Sequence, residues 1–280
     1  MYYFQLMGGL GNQLFQYAAA KALYLKTDVP FKVYYEDGNA YAQRSFQLEK
    51  FNIPVEKARE KEIPKKTFLA KVKRKLHITI PFFNEKQDFD FDPLFFRQKL
   101  NTHFHGYWQN EKYFKEHRAI LISEYQLKNP PGGMNKKCLT NIEQAINSIA
   151  IHVRRGDYIE NPIAYANHGL CDLDYYKKAV RYFEENHERN QYFLFSDDVD
   201  WVRENLNFIE NKTIIDWNAK QPEEDLRLMS SCKHQIIANS SFSWWGAWLN
   251  THPDQVVIAP KQWTRKQHSK AILPNSWLTY

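Results

Sequence analysis

Two adjacent arginines, Arg154 and Arg155, stand immediately before Gly156 and Asp157 in the run IAIHVRRGDY. Each guanidinium fork can donate two charge-assisted hydrogen bonds to an oxyanion, so the pair suits a dianionic or pyrophosphate ligand; a surface arginine pair bridged to Asp157 is the structural alternative. A second charged group, Asp197 and Asp198, follows the apolar run Tyr192-Phe193-Leu194-Phe195 and Ser196. A third stretch, Asn239-Ser240-Ser241-Phe242-Ser243, precedes a helix predicted from Trp244 to Leu249. Serines at a helix start can cap it, or they can bind phosphate together with backbone N–H groups and the helix dipole. Near the amino terminus, Gly8, Gly9 and Gly11 let backbone approach a ligand closely, with Asn12 free to reach across a cleft; a tight strand-to-helix turn explains the same glycines without a ligand.

These groups need elements to hold them. Ile149, Ile151 and Val153 are β-branched and mark a buried strand ending at Val153. After it come a helix over Asp174–Asn186, a strand Gln191–Phe195, a short helix from Val199, a strand Thr213–Asp216, a helix Pro222–Ser231 and a strand His234–Ala238. Strands alternating with helices imply parallel βαβ units. Carboxyl ends of parallel strands share one rim, so the arginines and serines are expected to face one crevice. The amino-terminal part opens with a strand Tyr2–Leu6, the glycine loop MGGLGNQ, a helix from Leu14 to Leu23 and a strand Phe31–Tyr35. The loop lacks the third glycine of the dinucleotide fingerprint, and no acid follows clearly at its distance. From Tyr41 to Phe104 the pattern is broken by Pro54, Pro64, Pro81 and Pro93. The segment HFHGYWQNEKY, His103–Tyr113, suits either a wall for a stacking sugar or core packing. Leu127–Lys137, LKNPPGGMNKK, reads as a linker and divides the chain into domains 1–135 and 136–280.

Composition narrows the class without naming a function. Hydrophobic residues at 43% and charged residues at 25% are ordinary for a globular chain and set disorder aside. An aromatic share of 16% mildly favours a carbohydrate or nucleotide site, although such rings fill cores first. The net charge of +6 favours anionic partners, and much of it lies in the stretch Lys65–Lys75, an expected amphipathic basic helix that is either merely solvated or a contact for acidic lipid. Three cysteines without metal-ligand spacing imply reduced thiols. With no apolar export segment before Gly8 and no apolar run long enough to span a bilayer, the expectation is a cytoplasmic protein, peripheral at the inner face of the plasma membrane if the basic stretch holds it there.

The motifs GGLGNQLFQYA from Gly8, HVRRGDY from His152, FSDD from Phe195 and EDLRLMSSCKHQIIANSSFSWWGAWLN ending at Asn250 together resemble the bacterial α-1,2-fucosyltransferases of glycosyltransferase family 11. The resemblance implies an α/β, GT-B-like fold with two Rossmann-like domains facing a central cleft. The amino-terminal one would bind acceptor and the carboxyl-terminal one GDP-sugar. It implies transfer of L-fucose from GDP-fucose, with inversion, to the 2-hydroxyl of a terminal galactose or similar sugar of an oligosaccharide or lipid-linked glycan, as in O-antigen or cell-surface glycan assembly, with no required metal or cofactor. On that basis Arg154 and Asp157 are the catalytic candidates, Asp157 as base. The donor would contact Gly9, Gly11, Asn12, His152, Arg154, Arg155, Asp197, Asp198, Asn239, Ser240, Ser241, Phe242 and Ser243. Asp197 and Asp198 are adjacent, without the intervening residue of the metal-binding DxD found in the other large transferase fold. Glu160 keeps the identity of the base open. Three other readings stand beside this one: a transferase using another GDP-sugar, a non-catalytic carbohydrate- or nucleotide-binding protein, and a nucleic-acid binder, which would spread its phosphate contacts along a face instead of gathering them in one crevice.

Overall fold

The computed structural model describes residues 1–35, 46–64, 81–156, 159, 165–167, 169–265, 267–268 and 271–280. Asp157, Glu160 and the basic stretch Lys65–Lys75 lie outside the described residues. The chain divides into two compact units, Met1–Lys128 and Asn129–Tyr280, each built on a parallel sheet.

In the first unit β1 (Tyr2–Leu6) lies inside a sheet of order β2-β1-β4-β3, with β2 (Phe31–Tyr35), β3 (Phe82–Asn84) and β4 (His103–His105) all parallel to their neighbours. Helix α1 (Leu10–Thr27) starts earlier than its apolar pattern predicts, because Gly8 takes a left-handed φ of 72° and turns the chain at once into a helix with Gly9 at its N-cap. Gly11 and Asn12 are therefore in the helix and not in a loop. Phe104 and Trp108 are completely buried, and Phe104 stacks on Phe4 at 4.4 Å, so the aromatic segment 103–113 is mainly core. Helix α2 (Arg118–Glu124) ends this unit.

The second unit opens with α3 (Gly133–Gln144), which takes up the latter half of the predicted linker. Cys138 and Ile142 sit one turn apart and are buried, giving the helix an apolar stripe that the flanking Pro and Gly residues obscure in the sequence. The sheet is β12-β9-β8-β5-β6-β7, all parallel, comprising β5 (Asn147–Val153), β6 (Asn190–Ser196), β7 (Lys212–Ile215), β8 (His234–Ile236), β9 (Val257–Ala259) and β12 (Leu278–Thr279). A short hairpin, β10 (Gln262–Thr264) with β11 (Gln267–His268), stands apart from it. Helices α4 (Leu173–Asn186) and α5 (Val199–Asn205) bury Tyr176, Phe183 and Val202 against Ile149, Ile151 and Val153 on one face. On the other face α3 and α6 (Pro222–Ser231) pack Ile142, Leu228 and Met229 against Ala150 and Phe193. Strands covered on both faces read as near-continuous apolar runs, as β5 and β6 do. Helix α7 (Ser241–Trp248) begins three residues before its predicted start, with Ser240 as N-cap.

Strand order places the chemistry. From β5 the chain steps outward to β6 and β7, then crosses to the other side of β5 for β8 and β9. The order reverses between β5 and β8, and ligands of open α/β sheets bind outside the carboxyl ends of the strands at such a point. In the first unit the corresponding reversal lies between β1 and β4.

Candidate functional site

Arg154 and Arg155 leave the carboxyl end of β5, and Asp197 and Asp198 leave the end of the adjacent β6; the register pairs Val153 with Ser196. Side by side, the two strand ends bring the four charges together. Arg154 Nη1 lies 2.7 Å from Asp197 Oδ2, and Arg155 Nε donates to Asp198 Oδ2 at 3.1 Å. Asp197 also accepts the backbone N–H of Arg155 through Oδ1 at 2.8 Å, so one carboxylate fixes both the loop and its first guanidinium. A Cβ on Gly156 would meet Asp197 Oδ2 at 3.0 Å, so a glycine here keeps the carboxylate against the loop. Asp198 caps α5 by accepting from Trp201 N at 3.1 Å, and the Arg155 guanidinium lies 4.3 Å from the Trp201 ring centroid. Two guanidiniums and two carboxylates, mutually ordered and only partly exposed, hold the loop and its cations in fixed orientation. Both carboxylates are already paired to guanidiniums, which disfavours a cation between them on electrostatic grounds. Among the described residues no group of three or more His, Cys, Asp or Glu side chains is placed to hold a metal ion.

The remaining residues expected at this rim are more buried. His152 is 5% exposed, its Nδ1 finds no partner, and its ring packs 5.6 Å from that of Phe242. Burial first, and then the Arg154 charge, push its pKa down to about 3, so the imidazole is neutral at physiological pH. Asn239 donates to the carbonyls of Gly169 (3.5 Å) and Trp263 (3.2 Å) and accepts from the Cys171 thiol, stitching three loops together beside β8. The Ser240 hydroxyl accepts from Phe242 N, and the fully buried Ser243 hydroxyl donates to the carbonyls of Ala238 and Ser240. These two serines thus cap and brace α7, while Ser241 opens the helix and Phe242 rests partly buried on the α3/α6 side.

At the end of β7 the structure adds a cluster that sequence reasoning did not single out. Asn135 and Asn218 exchange amide hydrogen bonds at 3.0 and 2.8 Å, Trp217 donates to Asn135 Oδ1, and Asn218 donates to Asp225 Oδ1 at 2.9 Å. Burial, reinforced by Glu223 and Glu224, raises the Asp225 carboxyl to about 7 against the Asn218 hydrogen bond that lowers it. Trp201 was likewise missed; its signal is the capping aspartate Asp198 three residues before it, which sets it in the first turn of a helix beside Arg155.

The rim of the first unit is built differently. Gln13 and Gln16, both fully buried, spend their amides on backbone: Gln13 donates to Gly8 O and accepts from Gln47 N, while Gln16 accepts from Met7 N and donates to Gly106 O. Asn12 Oδ1 accepts from Gln109 Nε2 at 2.8 Å, so it bridges to the segment after β4 within its own unit. Glu85, at the end of β3, accepts the N–H groups of Tyr107 and Trp108, and burial raises its carboxyl to about 7.

Comparison with known proteins agrees with this architecture. The family model "Glycosyl transferase family 11" matches residues 1–280. An α-1,2-colitosyltransferase of Escherichia coli is 33% identical over 98% of this chain and 97% of its own length. A galactoside 2-α-L-fucosyltransferase SEC1 of Bos taurus is 25% identical over 51% of this chain and 41% of its own length. The fucosyltransferase NodZ from Bradyrhizobium superposes with a TM-score of 0.53 at 12% identity, covering 88% of this chain and 91% of that one, which establishes a shared GT-B fold.

Proposed function

The chain belongs to glycosyl transferase family 11, and from that membership we propose that it moves L-fucose from GDP-fucose to the 2-hydroxyl of a terminal galactose, forming an α-1,2 linkage with inversion. The observation that carries the proposal is the pair of ion-paired guanidiniums, Arg154 on Asp197 and Arg155 on Asp198, at the reversal of strand order between β5 and β8. The second unit then takes the donor and the first takes the acceptor. As the bond from the anomeric carbon to the β-phosphate oxygen breaks, its electron pair stays with the departing diphosphate. Arg154, oriented in advance by Asp197, meets that developing charge without reorganisation at the moment of reaction. The acceptor oxygen attacks the opposite face of the sugar, and Asp157 takes its proton. His152, neutral and packed near Phe242, is the residue we assign to guanine or ribose. No metal is needed in this scheme, since two guanidiniums and the amino end of α7 supply the positive potential.

A second donor reading rests on the colitosyltransferase relative. Colitose lacks the 3-hydroxyl of fucose, and a site that hydrogen-bonds a hydroxyl rejects the analogue without it far more strongly than the reverse. The deciding experiment incubates the protein with lactose and either GDP-fucose or GDP-colitose. The proposal expects an α-1,2-fucosylated trisaccharide and a higher kcat/KM for GDP-fucose; a product formed only from GDP-colitose assigns the second reading. No transfer from either sugar nucleotide, with GDP binding retained, leaves a nucleotide-binding protein.

A further inference from the structure

Between the arginine loop and α4 two large apolar side chains stand exposed: Ile159 at 47% and Tyr165 at 44% of their surface. Ile159 donates its N–H to the carbonyl of Arg155, so it belongs to the turn that carries the arginines. Tyr165 is held by the hairpin that follows β9 in the chain. The Arg265 guanidinium lies 4.5 Å from the Tyr165 ring centroid, and Arg265 N donates to Asn167 O at 2.9 Å. Gly169, left-handed at φ 68°, lies so near that a Cβ there would meet Arg265 Cγ at 3.4 Å. Gly169 and Trp263 both accept from Asn239, three residues past β8, so a continuous chain of contacts seats the Tyr165–Arg265 pair beside the β5/β8 reversal.

The half-exposed Tyr165 ring is held in place by the guanidinium over it, and the pair's chemistry suits a pyranose. The apolar C–H face of a sugar packs on the ring, and the guanidinium fork offers donors to hydroxyls at its edge. We propose that Tyr165 and Arg265 form a sugar-binding wall next to the diphosphate site, selecting the pyranose that reaches Arg154. The inference rests on the transferase reading above. The sugar can belong to the acceptor or to the donor; the chemistry of recognition is shared, and the two arms of the test separate the sources.

The test compares the wild-type protein with Tyr165→Ala, Tyr165→Phe and Arg265→Ala in three measurements: KM for lactose at saturating GDP-fucose, Kd for GDP-fucose, and Kd for GDP. The expected result is a rise of about tenfold or more, the equivalent of about 1.4 kcal/mol, in one sugar-dependent quantity for Tyr165→Ala. A smaller rise is expected for Arg265→Ala and near-recovery for Tyr165→Phe, with GDP affinity and melting temperature unchanged. A rise in lactose KM assigns the wall to the acceptor; a rise in GDP-fucose Kd alone assigns it to the donor sugar. Unchanged values in both arms overturn the proposal, and so does an equal loss of affinity for GDP and GDP-fucose, which would make the pair a brace for the phosphate loop. Wild-type protein that transfers nothing to lactose fails the proposed function, not the wall, which binding then reports: the ratio of GDP-fucose to GDP affinity for the donor arm, and the Kd for lactose with GDP present for the acceptor arm.

Discussion

The segment after β1 and the segment after β5 occupy equivalent places, each leaving a strand beside the reversal of a parallel sheet, yet they are held by different chemistry. The first is stitched by neutral amides: Gln13, Gln16 and Asn12 bond to loop backbone and to Gln109. The second is held by ions: Asp197 and Asp198 grip the loop backbone and two guanidiniums. An amide fully used by protein backbone makes a rigid, uncharged wall, whereas a carboxylate paired to arginine makes an oriented cation. The contrast teaches that the topology supplies two similar strand-order reversals, and the side chains that lock each loop decide which one presents oriented cations.

The most direct way to break this comparison is to remove the oriented cation. Arg154→Ala should lower kcat by on the order of 10² to 10³, about 2.7 to 4 kcal/mol, as loss of one preorganised donor does. Arg154→Lys should recover only part of it, because an ammonium keeps the charge and loses the fork. Turnover within a few-fold of wild type in Arg154→Ala would place the diphosphate elsewhere. Next in size, Asp197→Asn keeps the shape but weakens the hold on Arg154 and on the Arg155 N–H. Steady-state kinetics should show a loss of roughly ten- to a hundredfold, the scale of a misplaced catalytic group; an unchanged rate would show that Arg154 orients itself.

On the amide side the expected effect falls on stability. Gln16→Ala leaves the Met7 N–H and the Gly106 carbonyl without their partner, each at about 1–3 kcal/mol if buried. Urea unfolding should register the loss while GDP affinity stays at its wild-type value, and a parallel loss of GDP affinity would contradict the division of labour between the loops. Smaller again is the effect of Asp225→Asn. The folded carboxyl, at about 7, holds its proton more tightly than in the unfolded chain, so this group favours folding most at acid pH and progressively less as pH rises from about 4 to about 7. The variant should therefore gain relative to wild type at pH 8 and not at pH 4, by a few degrees in melting temperature; a pH-independent difference would mean the carboxyl is not protonated in the fold. The smallest expected effect is that of EDTA, which should leave turnover unchanged, since the carboxylates at 197 and 198 already face arginines. Activity abolished by chelation and restored by manganese would return both aspartates to metal binding.

Much of the framework was legible because it is local. The strand Phe31–Tyr35 and the helix Pro222–Ser231 begin and end where period, proline and polarity place them. The arginine pair was equally plain as a charge cluster at a strand end, but its use was not: an oxyanion ligand and a structural pair bridged to an aspartate were both open readings of those residues. Other boundaries escaped because propensity was overridden: α1 starts among glycines, and α3 starts within a Pro-Gly stretch, each held by packing that the sequence alone does not display. Sequence reading also placed Asn239, Ser240 and Ser243 as ligand contacts, where the fold uses their polar groups to join loops and brace α7.

What the sequence determined by itself was therefore the kind of fold and the kind of charge: parallel βαβ units whose strand ends carry Arg154, Arg155, Asp197 and Asp198. Tertiary structure alone decided which of those charges meet. Arg155 and Asp197 are 42 residues apart, and they touch only because β5 and β6 pair in parallel with Val153 opposite Ser196. A shift of one residue in that register would turn alternate side chains to the other face and part the ions, and register is set by two buried faces packing at once, which no local run of residues encodes.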